Sequence, residues 1–291
     1  MAKYDAMGDK VQRRVPIALW IMIIGLVICV SGIIWCLNTN LKKYVKTENL
    51  SNDRNMSGIT EIDIDIEDAD TVIKKSPDDM LHVTVENAPE KVYKIGTKDG
   101  RFYIKRKVFS LNAVRVFGVS KIPFLKDLNA ETKVTILVPD KDYEKIEIDN
   151  GIGEMSISDL RCDTLEIDNG VGEIEVSRVS ANNTDIDNGV GEITCSDCTF
   201  GRTQIDNGVG DVTVEDSEMT DTDIDNGIGD VNIIKTAVRG DIEIDNGIGD
   251  TVISIKGSKS DYRYKKNKDK DAKYVIDIDD GIGDVRISYV D

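Results

Sequence analysis

Apolar and polar residues alternate with a period of two over much of the chain. In Leu165–Asp168 (LEID) and Ile174–Ser177 (IEVS), every second residue is aliphatic and its neighbours are polar or charged. This period places successive side chains on opposite faces of a β-strand, whereas an amphipathic helix repeats every three or four residues. The pattern predicts short strands with one buried face.

The strand pattern recurs as a repeat built on IDNG(I/V)G(D/E). Copies begin at Ile148, Ile167, Ile186, Ile205, Ile224 and Ile244, and as IDDGIGD at Ile278. The first four steps are 19 residues, the next is 20 and the last is 34. Two glycines per copy disfavour a helical repeat, because each costs a helix about 1 kcal/mol relative to alanine. We therefore predict an all-β fold, a parallel β-helix (β-solenoid) with coils of about 19 residues, whose strands stack about 4.8 Å apart.

The alternation also predicts which side chains face the core. Ile167, Asn169 and Val171 share the inward side, and Val179 and Ala181 are the inward candidates of a looser third side. Stacking identical coils turns each inward position into a ladder. The predicted asparagine ladder consists of Asn150, Asn169, Asn188, Asn207, Asn226 and Asn246.

Residues 15–37 form an uncharged apolar run of 23 residues. This length suits a helix that crosses a hydrocarbon core of about 30 Å, so we predict a single transmembrane helix ahead of the solenoid. Basic residues flank the run on both sides, and their count favours an N-terminus inside the cell with the C-terminal domain exported.

The chain divides into segments around the span and the repeats. They are a basic tail at 1–14, the transmembrane helix at 15–37, a linker at 38–58, degenerate β coils or a β cap at 59–143, and a regular acidic β-solenoid at 144–291. A basic stretch at 256–273, with tyrosines at alternate positions, is predicted to form a hairpin inserted into the last repeat. Residues 108–131 have no clean period, which leaves a packed loop, a short helix or a partner-binding excursion open.

Acidic residues dominate the charge, and the formal net charge is -17. This charge argues against nucleic-acid binding, which needs a positive surface. The acids recur in two columns. One contains Asp149, Asp168, Asp187, Asp206, Asp225 and Asp245, and the other contains Glu154, Glu173, Glu192, Asp211, Asp230 and Asp250.

Carboxylates stacked at strand spacing repel each other by about 1 kcal/mol even in water, so an attraction must offset the repulsion. Backbone N–H groups of the nearby glycine turn are one candidate, because they stabilise the charged form. Calcium ions that bridge successive coils are the other, because calcium prefers hard oxygen ligands. All twelve acids of the two columns are therefore candidate metal ligands, and calcium is the one candidate cofactor.

No catalytic constellation is predicted. Cys195 and Cys198 form a CxxC, but the repeat alignment places both, and also Cys162, in columns occupied elsewhere by core residues. His82 is the single histidine and is interpreted as an exposed or capping imidazole in an alternating strand. Acids that recur identically in every coil indicate a structural repeat, and we predict that the protein is not an enzyme.

Several stretches resemble a bacterial family of β-strand repeats labelled putative adhesin, a domain of unknown function. They are ITEIDIDIEDADTVIKKSPDDMLHVTV at 59–85, KDGRFYIK at 98–105, TKVTILVPDKDYEKIEIDNGIGEMSI at 132–157 and the later IDNGVGD coils. The resemblance covers residues 59–291. It implies an exported β-helix in the bacterial cell envelope, in some members associated with envelope-stress systems, and it supplies no catalytic residues.

Two functions follow from these features. The first is a single-pass protein of the cell membrane, anchored through residues 15–37, that serves as an adhesin or surface-binding module for a cationic or envelope partner. The second is a structural or polymerising scaffold, or an accessory protein of envelope-stress signalling, stabilised by divalent cations. The open strand edge at Val285–Val290 allows self-association in the second case.

Overall fold

The structure, a computed structural model, describes residues 47–89, 92–106, 132–264 and 272–290. These residues form strands and a short 3₁₀ helix, Lys259–Asp261, so the predicted all-β class is confirmed. The predicted membrane span at 15–37 and the segment 108–131 lie outside the described residues. Within the described part of the chain, no helix has the length and apolar character needed to cross a membrane.

The strands form two faces that extend along the solenoid. Face A contains, in spatial order, β1 (Thr47–Asn55), β4 (Met80–Pro89), β7 (Lys133–Val138), β3 (Asp70–Lys75), β9 (Met155–Ser158), β11 (Ile174–Ser177), β13 (Ile193–Ser196), β15 (Val212–Glu215), β18 (Val231–Val238), β20 (Thr251–Lys256) and β23 (Val285–Val290). Face B contains β5 (Tyr93–Lys98), β6 (Arg101–Arg106), β2 (Glu61–Ile66), β8 (Asp142–Ile152), β10 (Arg161–Val171), β12 (Ser180–Val190), β14 (Thr199–Val209), β16 (Glu218–Met219), β17 (Thr222–Ile228), β19 (Ile242–Ile248), β22 (Tyr274–Ile282) and β21 (Tyr262–Tyr264).

The repeats stack as parallel strands in the register that the 19-residue period predicts. On face B, Ile167 lies between Ile148 and Ile186 of the neighbouring coils. On face A, Ile174 lies between Met155 and Ile193. These aliphatic columns are buried and form one continuous core between the two faces.

The corner after the asparagine differs from the prediction at Val171. The alternation placed this side chain inside, but it is 46% exposed. The ladder pairs Asn169 with Asn188 and then Val171 with Val190, so the intervening Gly170 is skipped. A Cβ on Gly170 would lie 2.5 Å from the carbonyl oxygen of Gly151, so only glycine allows the chain to bend there. The bend breaks the period of two and turns the valine towards solvent.

The described part of residues 59–143, for which degenerate β coils or a β cap were predicted, contains both parallel coils and antiparallel strands. β6 and β7 form the outermost coil, and β2 and β3 lie between that coil and the one formed by β8 and β9. Beyond the outermost coil, β4 pairs antiparallel with β7, and β5 pairs antiparallel with β6.

Residues Thr47–Asn55 form β1, antiparallel to β4, where the sequence predicted a linker. The segment has no hydrophobic alternation because it is an edge strand. Backbone hydrogen bonds to β4 hold it in place, and its outward residues are polar.

The insert at 256–273 does not form the predicted hairpin in its described part. β21 runs parallel to β22, and Tyr262 pairs with Tyr274. The centroid of the Tyr262 ring lies 5.6 Å from that of Tyr274 and 5.9 Å from that of Tyr289. The Tyr262 hydroxyl donates a hydrogen bond to the Val238 carbonyl. Aromatic packing therefore holds this segment against the end of the solenoid.

Candidate functional site: the acidic outer face

The buried asparagine ladder fixes the shape of every coil corner. The Asn169 side-chain amide donates to the Gly172 carbonyl at 3.2 Å and to the Asn188 side-chain oxygen at 3.0 Å. Asn207 repeats both bonds, to Gly210 at 2.8 Å and to Asn226 at 3.2 Å. The predicted inward ladder is confirmed. Because the corners are alike, the outward residues beside them are presented in the same way in each coil.

The first acidic column lies on the outside of face B, beside these corners. Its candidate ligands are exposed except for the half-buried Asp206. Between this column and the corner glycines runs a shallow groove of about 920 Å³, lined by aspartates from Asp168 to Asp279, by Asn-Gly corners from Asn188 to Gly247, and by Gly281. The groove spans several coils, so it suits an elongated ligand better than a small one.

A second acidic row on face B was missed by the sequence reasoning. It lies two residues before each aspartate and contains Glu147, Glu166, Asp185, Asp223, Glu243 and Asp277, with Gln204 in one coil. The sequence contained the information needed to predict this row, because residues two apart on a strand lie on the same face. Face B therefore carries two parallel rows of acids along the solenoid.

Crowding of these carboxylates changes their acidity. Although the Asp187 side chain is exposed over much of its surface, partial desolvation of its carboxyl, together with the neighbouring Asp185, Asp206 and Asp168, raises its pKa to about 6. Burial and acidic neighbours also raise the pKa of Asp149 and of Asp225. Each negative charge on this face makes the next one less favourable, so a bound cation would relieve the repulsion.

Three aspartates of the corner column accept hydrogen bonds from backbone N–H groups. Asp211 accepts a hydrogen bond from the Asp230 N–H at 2.8 Å, Asp230 accepts one from Asp250 at 2.8 Å, and Asp250 accepts one from Asp284 at 3.0 Å. At these three aspartates the donor is a backbone N–H of the next coil, whereas the sequence predicted donors in the adjacent glycine turn.

The candidate metal ligands lie in two separate columns. The corner column, from Glu154 to Asp250, is separated from the Asp149–Asp245 column by the exposed corner residues. Among the residues that the structure describes, no three His, Cys, Asp or Glu side chains are grouped as metal ligands.

Exposed aliphatic side chains run between the two acidic columns. This apolar ridge consists of Ile152, Val171, Val190, Val209, Ile228, Ile248 and Ile282. Its members are paired in register from coil to coil, and their exposure ranges from 44% at Val209 to 69% at Ile282. The sequence did not predict this ridge, because the period of two assigned these positions to the core.

The cysteines occupy core positions, as predicted. Cys195 is fully buried between Val176 and Val214 in one column. Burial raises the pKa of Cys162 to about 12 and that of Cys198 to about 11. Because the thiolate is the reactive form, these thiols are poor nucleophiles.

His82 connects two carboxylates at the N-terminal end. Its Nδ1 lies 2.8 Å from Asp53 on β1, and its Nε2 lies 2.9 Å from Asp78. These hydrogen bonds raise the pKa of His82. The imidazole is a half-buried link between β1 and β4 rather than a simple exposed side chain, and it is remote in sequence from the repeats.

Comparison with known proteins gives one family match. The sequence profile described as Toastrack DUF4097 matches residues 59–268. This match supports the resemblance inferred for residues 59–291. No curated protein sequence matches the chain.

Solved structures also show similarity. A putative adhesin from Bacteroides fragilis is 14% identical, with a TM-score of 0.46, and the match covers 83% of this chain and 98% of that one. A putative cell adhesion protein from Clostridium sporogenes is 11% identical, with a TM-score of 0.36, and the match covers 84% of this chain and 100% of that one.

Proposed function

The chain belongs to the Toastrack DUF4097 family, and we propose that it is a surface-binding module without catalysis that presents an acidic β-solenoid to a cationic partner outside the cell. In this proposal residues 15–37 anchor it in the cell membrane as a single-pass protein. One observation carries the proposal: face B and its corner repeat the same outward acids in coil after coil, with a groove beside them.

The repetition favours binding over catalysis. An active site needs a nucleophile, a base or a polarising group in a specific local arrangement. Here Asp168, Asp187 and Asp225 occupy the same register position in their coils and are all exposed. A surface of this kind offers many equivalent weak contacts, and their sum suits an extended partner.

The charge favours a cationic partner. The net charge of -17 and the rows on face B produce a negative potential that attracts cations and repels nucleic acids and anionic lipids. Repulsion from Asp185, Asp206 and Asp168 adds to the effect of burial in raising the pKa of Asp187 to about 6, and a positive charge at this face would offset that repulsion.

Titration of the full chain in neutral detergent micelles with a lysine homopeptide tests this binding. We expect saturable binding that weakens steeply as sodium chloride is raised, because released counterions and screening act on charge pairs. A glutamate homopeptide of the same length is the control and is expected not to bind. No binding of the lysine peptide at low salt would overturn the proposal.

The anchor and its orientation are tested separately. The support is the uncharged run at 15–37 with its basic N-terminal flank. An epitope tag inserted at Lys268, between β21 and β22, should be labelled by antibody in intact cells. Labelling only after permeabilisation would contradict an exported solenoid.

A polymerising scaffold is the second candidate, favoured by the strand at the C-terminal end. Within the described residues, β23 pairs with β20 alone, which leaves one backbone edge open. Such an edge can accept another strand. Sedimentation of the full chain in micelles distinguishes the candidates, because a concentration-independent monomer contradicts the scaffold.

Calcium remains a candidate stabiliser of the acidic columns. Specific binding to the folded state would raise the melting temperature by mass action. Melting curves in calcium chloride and in sodium chloride of matched ionic strength test this point. Curves that coincide would leave screening as the sole effect of the cation.

A further inference from the structure

The apolar ridge is unusual among the outward positions of the solenoid. All seven of its residues, from Ile152 to Ile282, are isoleucine or valine. The equivalent outward column of face A contains Ser156, Glu175, Thr194, Thr213, Asn232, Val252 and Arg286. Strand propensity alone does not require aliphatic side chains, because threonine is also β-branched and favoured in strands. The ridge therefore places a continuous apolar strip on the surface.

Acids border this strip on both sides. Asp187 precedes Val190 in the same coil, and Glu192 follows it, so the ridge lies between the face B column and the corner column. The groove lies on the side of the face B column, where the corner glycines carry no side chains. The resulting cross-section is acidic, then apolar, then acidic.

This cross-section restricts what can cover the ridge. A second copy that docked ridge to ridge would bring four acidic columns together, and repulsion would oppose it. Anionic lipid is excluded for the same reason. A partner with an apolar strip between two basic rows matches both the apolar surface and the charge.

The spacing of the ridge residues along the solenoid indicates whether a helix or an extended strand fits them better. Ridge residues recur about every 4.8 Å along the solenoid, the distance between stacked strands. A helix laid along the ridge places same-face residues about every 5.4 Å, which differs by about 0.6 Å per step. An extended strand laid along the ridge places its same-face residues about every 6.8 Å, which differs from the ridge spacing by about 2 Å per step. A helix therefore keeps contact with several successive coils, whereas a strand does not.

We propose that the apolar ridge and the acidic columns beside it bind an amphipathic helix whose apolar stripe is bordered on both sides by lysine or arginine. The apolar stripe packs on the ridge, and the basic borders pair with the two acidic columns. This assignment rests on the proposed function and specifies the partner's chemistry and shape.

Three peptides of about 20 residues, long enough to form a helix on binding, provide the test. One arranges leucine and lysine with helical periodicity, one scrambles the same composition, and one replaces leucine by serine. We expect the helical order to bind the full chain in micelles roughly tenfold more tightly than the other two, because only it can cover the ridge. Equal binding of the helical and scrambled peptides would overturn the inference.

Matched variants then locate the site. Val209→Thr with Ile228→Thr alters the ridge, and Val252→Thr with Ile234→Thr makes the same chemical change on the outside of face A. The ridge pair should weaken binding of the helical peptide roughly fivefold, and the face A pair should leave it unchanged. Equal weakening by both pairs would overturn the site. If the ridge pair melts early, Val209→Thr alone is the second variant.

The outcomes separate this inference from the proposed function. If the lysine–serine peptide binds and the helical peptide gains nothing over it, the acidic surface remains a binding module and the helix site is wrong. If no basic peptide binds at low salt, both are wrong.

Discussion

The side-chain amide of Asn169 donates a hydrogen bond of 3.0 Å to the side-chain oxygen of Asn188 in the next coil. Asn188 in turn donates to Asn207 at 3.3 Å, so the ladder has a direction in which each member accepts from one neighbour and donates to the other. Every internal member needs both functions of an amide. The ladder thereby ties the coils together through side chains as well as through the backbone.

Changing Asn188→Asp should destabilise the protein. The new carboxylate can accept from Asn169 but cannot donate to Asn207, and it places a charge in the core. We expect the free energy of unfolding in urea to fall by about 1–3 kcal/mol. The control is Asp187→Asn, one residue away on the exposed side, which should be neutral or slightly stabilising. Opposite results for the two variants would contradict the assignment of inward and outward faces.

Changing Asp280→Asn should stabilise the last coil. Asp280 occupies the ladder position next to Asn246. Both of its carboxylate oxygens are buried, and neither has a hydrogen-bond partner within the described residues. A neutral amide removes that charge, so we expect the free energy of unfolding to rise by about 1 kcal/mol. The control is Asp279→Asn at the exposed neighbouring position. If Asp280→Asn is less stable than this control, the buried carboxylate of Asp280 does not destabilise the last coil.

Acidification from neutral pH should stabilise the solenoid. The pKa of Asp187 is raised from 3.8 to about 6 in the folded protein, so the folded state binds protons more readily than the unfolded state. Stability should therefore increase as the pH falls from about 7 towards 4. Below this range it should decrease, because Asp140 and Asp159 have pKa values lowered by their ion pairs. Urea unfolding across this range checks the trend, and Asp187→Asn should flatten it. A slope unchanged by the variant would contradict the raised pKa of Asp187 as its cause.

The His82 link should weaken at alkaline pH. Two carboxylates contact its ring nitrogens, and only the protonated imidazole can donate to both. Because its pKa is raised above 6.5, its contribution is complete below 6.5 and is lost as the pH rises through the folded-state value. His82→Gln should therefore reduce stability at about pH 6 and have little effect at about pH 9. A difference from the parent that is the same at both pH values would show that protonation is not involved.

The sequence predicted the coil, its register and the asparagine ladder because those features follow from a period of two within a period of 19. It assigned Val171 wrongly because the bend at Gly170 depends on close contact with Gly151 in another coil. The same limit applies to β2 and β3, which insert between coils that are later in the chain. Contacts between coils that are distant in sequence cannot be predicted from a local pattern of residues. The second acidic row on face B could have been predicted, because its acids lie two residues before the aspartates of the first column.

The binding of a lysine homopeptide to two charge-matched variants tests the functional proposal most directly. One variant carries Asp187→Asn, Asp206→Asn and Asp225→Asn on face B. The other carries Glu175→Gln, Asp197→Asn and Glu215→Gln, which lie away from the groove.

Both variants lose the same formal charge, so attraction to net charge alone would weaken binding equally. We predict a large increase in the dissociation constant for the face B variant and little change for the other at the same low salt concentration. Equal dissociation constants for the two variants would contradict the assignment of the acidic face as the binding surface.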